Sequence, residues 1–122
     1  MRVFPIAAAS LIALTGLTMA SHATASLDEC DNNNMCMWDN NNFGRLIGER
    51  GHGSSTITNL GPSGDNKMDS WANRSAVYGG CMYTNANGGG DKQTMNATSS
   101  DDNVSPLNSD EVSSWRTRYG CG

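Results

Sequence analysis

Basic residues are scarce in this chain. Eight Lys and Arg stand against twelve Asp and Glu, for a net charge of −4. Nucleic acid and anionic membrane, which recruit strongly basic surfaces, are not expected as partners. Histidine is scarcer still, with two residues, His22 and His52. No nucleophile elbow is present, and the adjacent acids Asp101-Asp102 and Asp110-Glu111 read as solvated loop charges rather than as an acid–base pair. An enzyme is therefore not expected. No C-x-x-C pair occurs among the four cysteines, so a structural zinc site lacks its usual ligand spacing. No window carries a sustained 3.6-residue apolar period, which removes the amphipathic helix as the organising element.

Charge is also absent from Val3 to Ala20, an apolar run that follows Arg2 and ends near the small-x-small site Ala23-Thr24-Ala25. This reads as a secretory signal peptide over 1–25, and the run is short for a spanning helix. The expected product is a single secreted, extracellular domain, 26–122, with no membrane contact after cleavage. Without Arg2 it has seven basic and twelve acidic residues, a net charge of −5. A chain of this size builds a small core and often needs covalent staples. Cys30, Cys36, Cys81 and Cys121 supply them in an oxidising compartment. Three pairings are possible, of which Cys30–Cys36 with Cys81–Cys121 is favoured. Chain entropy assigns about 2 kcal/mol to the short loop and about 4 kcal/mol to the long one.

What the chain does contain is a repeat. Cys36-Met37-Trp38-Asp39-Asn40-Asn41-Asn42 returns 45 positions later as Cys81-Met82-Tyr83-Thr84-Asn85-Ala86-Asn87. Asp69-Ser70-Trp71 returns 44 positions later as Ser113-Ser114-Trp115. Two copies of one supersecondary unit are the simplest reading, with motif one at about 35–76 and motif two at about 77–122. Short strand-like runs separated by Gly, Asn and Pro turns indicate an all-β sandwich of two Greek-key motifs. Strands are expected at 35–38, 43–47, 56–60, within 67–77, at 77–83 and at 111–119. Loops are expected at 48–55 and 85–91, and 93–107 is hard to place. The expected core runs from Met37 and Trp38 through Ile57, Met68, Trp71, Val77, Met82, Leu107 and Trp115 to Tyr119. Asn73-Arg74-Ser75 is one of three N-glycosylation patterns.

Trp38, Phe43, Gly44 and Ser70 resemble one βγ-crystallin motif, and Tyr83, Gly90 and Ser114 resemble a second. The resemblance implies an aromatic covering a folded hairpin, a glycine at positive φ, and a serine capping the hairpin from a later strand. In motif one the glycine falls one residue early, with Arg45 at the position equivalent to Gly90, so an altered first hairpin is expected. Cys30-Asp31-Asn32-Asn33-Asn34-Met35-Cys36 followed by Trp38 is similar to the opening of the secreted Streptomyces-type metalloproteinase inhibitors, which have this fold. That resemblance implies a secreted, monomeric peptidase inhibitor whose partner is an extracellular protease, probed by a rigid loop. The family's second disulfide closes a tight loop in the later half. Cys81 and Cys121 are forty apart, so no inhibitory bond is assigned, and 91–107 reads as coil.

No cofactor is required on this reading, but Ca²⁺ is a candidate ligand. An EF-hand reading of 39–50 fails at Phe43 and Arg50. The βγ-crystallin calcium signature is approached by Asp65-Asn66-Lys67-Met68-Asp69-Ser70 and by Ser109-Asp110-Glu111-Val112-Ser113-Ser114. The resemblance makes Asp65, Asn66, Asp69, Asp110 and Ser113 the candidate ligands. The alternatives to inhibition are a calcium-binding structural or stress module and a small secreted killer-type toxin, since such toxins share the fold.

Overall fold

Asn34–Asp39 alternates its side chains between two apolar destinations, and that alternation builds the first strand. Met35 and Met37 enter the main core, while Cys36 and Trp38 enter a second cluster on the opposite face. The computed structural model describes residues 26–104 and 110–122. The expected signal peptide at 1–25, the core role of Leu107 and Ser109, the first residue of the second calcium signature, lie outside them.

The described residues form eight strands: β1 Asn34–Asp39, β2 Arg45–Gly51, β3 Thr58–Asn59, β4 Met68–Asn73, β5 Gly80–Tyr83, β6 Lys92–Met95, β7 Ser99–Asp101 and β8 Ser114–Arg116. They form two antiparallel four-stranded sheets, ordered β2-β1-β4-β7 and β3-β8-β5-β6. Each motif supplies three strands to one sheet and sends its third strand, β3 or β7, to the other. The two orders are the same when β1–β4 are matched with β5–β8. The all-β, two-sheet fold is the one expected.

The main core combines Met35, Met37, Met68 and Trp71 of the first sheet with Met82, Met95 and Trp115 of the second, plus Val104 and Val112. Five methionines fill it, in keeping with an unbranched side chain that adapts to irregular gaps. Met35 and Met95, both fully buried, were missing from the expected core. Ile57, Val77 and Tyr119, expected inside, are 37%, 72% and 60% exposed. Val77 and Tyr119 lie in turns beyond the strand ends, where local hydrophobicity does not face a sheet.

The disulfides are Cys30–Cys36 and Cys81–Cys121, separated by 6 and 40 residues. The first sits in the outer cluster with Trp38 and Ala72, backed by Leu27, Phe43 and Leu46. Glu29, in a single 3-10 turn at Leu27–Glu29, accepts a hydrogen bond from Trp38 Nε1 at 2.9 Å. Thus the polar lead-in is clipped to the sheet by a covalent bond and roofed over an indole.

Both hairpins are capped alike by a later serine, while the backbone of the first is altered, as expected. The Ser70 hydroxyl donates to the Asn40 carbonyl at 3.0 Å and accepts from Phe43 N–H at 3.1 Å. The Ser114 hydroxyl donates to the Asn85 carbonyl at 2.6 Å and accepts from Gly88 N–H at 2.9 Å. Positive φ falls at the matched positions Asn42 and Asn87, and Phe43 and Gly88, but otherwise at Asn40 in the first copy and at Gly90 in the second. Gly44 is not at positive φ; it is needed because a Cβ there would lie 2.7 Å from Asn40 Cβ and 2.9 Å from the Asp39 carbonyl oxygen. The left-handed Phe43 is held by its ring, 4.9 Å edge-on from Trp38. Both serines are fully buried. Ser70→Ala and Ser114→Ala each strip two hairpin groups of their partner, and each is expected to cost about 1–3 kcal/mol in urea unfolding. Equal midpoints for wild type and both variants would refute the capping role.

Three local expectations change. The 48–55 segment is not a loose loop, because β2 continues to Gly51 and the following residues are hydrogen-bonded to β8 and its continuation. The coil expected at 91–107 contains β6, which pairs with the preceding strand β5, and β7, which pairs with the more distant β4. Asn73 is 2% exposed and donates to the Tyr78 and Met95 carbonyls, so its glycosylation pattern is a buried structural amide.

Candidate functional site

Three carboxylates meet where the first hairpin, β4 and the approach to β8 converge. Asp39 ends β1. Asp69 is the bulged residue of β4, skipped between Ser70, which pairs with Trp38, and Met68, which pairs with Asp39. Asp110 has φ 59 and anchors its N–H on the Met68 carbonyl at 2.9 Å. One oxygen of each lies within 4.8 Å of the other two. Asp69 also accepts from Asn40 N–H at 2.9 Å, and Asp39 from Arg45 at 2.8 Å.

The repeat places an equivalent pair across the molecule. The Ser113 hydroxyl donates to Asn66 Oδ1 at 3.2 Å, and Asn66 N–H donates to the Val112 carbonyl at 2.9 Å. Asn66 with Ser113, and Asp110 with Asp69, each join the second position of one signature to the fifth position of the other. Of the sequence-derived ligand candidates, Asp69 and Asp110 therefore meet at one place and Asn66 and Ser113 at another. Asp65 is not part of the carboxylate group, and its Oδ1 is buried without a hydrogen-bond partner. Asp39 was missed as a ligand candidate; its position directly after the motif aromatic was the available signal.

Partial desolvation, then repulsion from Asp69 and a hydrogen bond to it, then Asp39, push the Asp110 carboxyl above its ordinary value, while Lys67 pulls it down. Asp110 is exposed, so water screens the desolvation, and the crowding of like charges is the cause we weigh most. A carboxyl raised on folding binds more protons folded than unfolded, so its contribution to stability falls as pH rises above the ordinary carboxylate range. Asp110→Asn is accordingly expected to raise the melting temperature slightly at pH 7 and to leave it unchanged at pH 3. An equal shift at both pH values would overturn this electrostatic account.

The loop carrying His52 has more support than its glycines suggest. His52 N–H donates to the Asn33 carbonyl, Nδ1 lies 2.7 Å from Ser75 Oγ, and the ring sits edge-on to Tyr78 at 4.9 Å. Ser75 Oγ already accepts from the Val77 and Tyr78 N–H groups, so its proton is directed to His52. Ser75 is fully buried, which makes this a structural pair rather than a nucleophile with its base. Arg50, next to it, is drawn inward; burial lowers its pKa from the ordinary value.

Two Greek-key motifs with serine-capped hairpins and exchanged third strands define a βγ-crystallin-like domain. Its shape is similar to the crystal structure of a βγ-crystallin domain from Flavobacterium johnsoniae, with a TM-score of 0.52 and 21% identity over 70% of this chain and 92% of that chain. That likeness concerns the fold. No curated protein matches the chain in sequence. Residues 23–79, a little under half of the chain, match the family model of peptidase inhibitor family I36, and that match supports a peptidase inhibitor rather than an enzyme. The matched stretch holds the first disulfide, the first motif and the 50–59 segment, and it implies a protease as partner.

Proposed function

We propose that this protein is a secreted inhibitor of an extracellular metalloproteinase, acting as a monomer through a rigid surface segment. The observation that carries the reading is the inhibitor-family match on a body stapled by two disulfides. Secretion is supported by the uncharged run near the N-terminus and by cysteines that are all paired in the described structure. Rigidity favours inhibition because a segment already held in its bound shape loses little entropy on docking. Titration of oxidised 26–122 into a thermolysin-like zinc protease should give a linear fall to zero activity near one equivalent. Undiminished activity with the domain intact would reject this protease class. Undiminished activity with the domain cleaved would show a substrate.

The carboxylate triangle favours a second role that is compatible with the first. Calcium takes carboxylate and carbonyl oxygens at about 2.3–2.6 Å, and oxygens within 4.8 Å of each other fit one such ion. Asp39, Asp69 and Asp110 would hold it, and the ion would offset the repulsion that raises the Asp110 pKa. On this reading added calcium raises the melting temperature, a chelator reverses the rise, and Asp110→Ala weakens it. A melting temperature indifferent to millimolar calcium would remove the role.

A further inference from the structure

Residues 55–59 are the longest continuously exposed run among the described residues. The run follows a segment that turns back on nothing: no turn or bend interrupts 53–57, and no residue from Ser54 to Asp65 has positive φ. It feeds directly into β3, an edge strand of the second sheet. Its surface chemistry is Ser55, Thr56, Ile57, Thr58 and Asn59: no charge, three β-branched residues, and one large aliphatic side chain at the centre.

Both flanks of Ile57 are clamped. On the N-terminal side the Arg50 guanidinium donates to the Trp115 carbonyl at 2.7 Å, to the Thr56 carbonyl at 3.0 Å and to Ser54 Oγ at 3.3 Å. It lies 5.5 Å over the Trp115 ring. Ser54 is doubly tied to Thr117, its N–H donating to the Thr117 hydroxyl and its carbonyl accepting from Thr117 N–H, each at 3.0 Å. On the C-terminal side Thr58 and Asn59 pair with Trp115 and Ser114. The Asn59 amide exchanges hydrogen bonds with Asn87, donating to its side-chain oxygen at 3.1 Å and accepting its N–H at 2.8 Å. Beneath the run, the Ile57 side chain rests on Gly88, where an added Cβ would come within 2.7 Å of Ile57 Cδ1.

This arrangement differs from an ordinary exposed loop in two ways that matter to a protease. An endopeptidase binds a peptide stretched out and fills its specificity pocket with one side chain; here an aliphatic side chain, 37% exposed with its inner side on Gly88, is already held on a straight segment. Hydrolysis requires the enzyme to polarise the scissile carbonyl. The carbonyl before Ile57 is already committed inward to Arg50. Were the bond cut, both new ends would stay tethered, one by Arg50 and the other by β8 and Asn87, so re-formation would be favoured over release.

We propose that the 55–59 segment is the protease-contacting segment, that Ile57 is the side chain that fills an aliphatic specificity pocket of a zinc endopeptidase, and that Arg50 protects the Thr56–Ile57 bond from turnover. This rests on the inhibitor reading above and supplies the contact that reading leaves open. The coupling is direct: the same Trp115 that Arg50 caps is the partner of Thr58 in the sheet, so the display is fastened to the core.

The test is the thermolysin titration repeated with three variants of 26–122. Ile57→Asp changes one exposed side chain and should weaken inhibition at least about 100-fold while the melting transition persists, as expected for loss of a central anchor. Val77→Asp, the same chemistry at a more exposed site outside the segment, should inhibit like wild type. Arg50→Lys keeps the charge but not the forked donation, and should give inhibition that decays with time, with a new N-terminus at Ile57 in the mass spectrum. Full inhibition by Ile57→Asp, with wild type also inhibiting, would overturn this assignment and leave the inhibitor reading standing. Cleavage of the Arg50→Lys variant elsewhere would overturn the protected bond. A wild type that does not inhibit would overturn the inhibitor reading for this protease class, and this assignment with it.

Discussion

Trp115→Ala should lower the unfolding free energy by about 3–5 kcal/mol, the range for deleting a buried tryptophan. Trp115 is 1% exposed and belongs to the main core, where both sheets meet. It lies in β8, between β3 and β5, paired with Thr58 on one side and Met82 on the other. Its ring approaches the first sheet closely enough that a Cβ on Gly48 would sit 3.3 Å from it. Its other neighbours are Leu60, at the same place, and the Arg50 guanidinium above. An alanine would leave a void touching both sheets, and no strand can shift to fill it without breaking a ladder. Small domains have about 5–15 kcal/mol in total, so the variant should unfold at a much lower urea concentration. Trp115→Phe keeps most of the volume and should lose less than half as much. A loss below about 1 kcal/mol for alanine would show that the core is filled some other way.

Replacing Cys81 and Cys121 together by alanine is the second large effect. The closed loop spans 40 residues, and the chain-entropy model assigns it about 4 kcal/mol. The same change at Cys30 and Cys36, separated by 6 residues, removes about 2 kcal/mol of loop entropy. The long bridge also fastens the end of the chain to β5, where Cys81 is fully buried, and Lys92 reaches the Cys121 carbonyl at 3.3 Å. The comparison between the two double variants is the sharper measurement, because errors in the unfolded-state model enter both. If loss of the short bridge costs more, local packing of Cys30 and Cys36 under Trp38, not loop length, governs the stapling.

The two bridges also show how far a linear reading reaches. The spacing of four cysteines in an acidic, export-like chain already favoured the pairing found. Cys-Met-aromatic and Ser-Trp, each recurring at nearly one interval, carried the two-motif sandwich, because a repeat preserves the order of buried and capping positions. Ser70 and Ser114 were legible as caps through the resemblance to the βγ-crystallin motif. Phe43 was misplaced in a strand, because nothing local signals that a phenylalanine will sit at positive φ; the Trp38 ring that holds it there comes from packing. Met35 and Met95 were overlooked, and Ile57, Val77 and Tyr119 overestimated. Hydrophobicity alone does not say which side of a strand faces the other sheet, or whether a residue is in a strand at all.

The candidate sites divide along the same line. Asp69 and Asp110 were readable from the signature, but their approach to Asp39 was not, since it depends on a bulge that pushes Asp69 out of the β4 ladder. The clamp on 54–59 was invisible in sequence. Arg50, Trp115 and Thr117 are up to 67 positions apart, and a Gly-rich stretch between Arg50 and Ser54 looked loose.

By itself the sequence determined the all-β class, the twofold motif, the staples and the acidic character, all properties of local spacing and composition. Tertiary structure alone decided that β3 and β7 change sheets, that Met35 and Met95 close the core, and that Ile57 stands outside it on a braced edge. The reason is that backbone hydrogen bonds and apolar contacts are satisfied between strands distant in the chain. Which strand lies beside which, and hence which side chain is left facing solvent, is fixed only when every strand is in place.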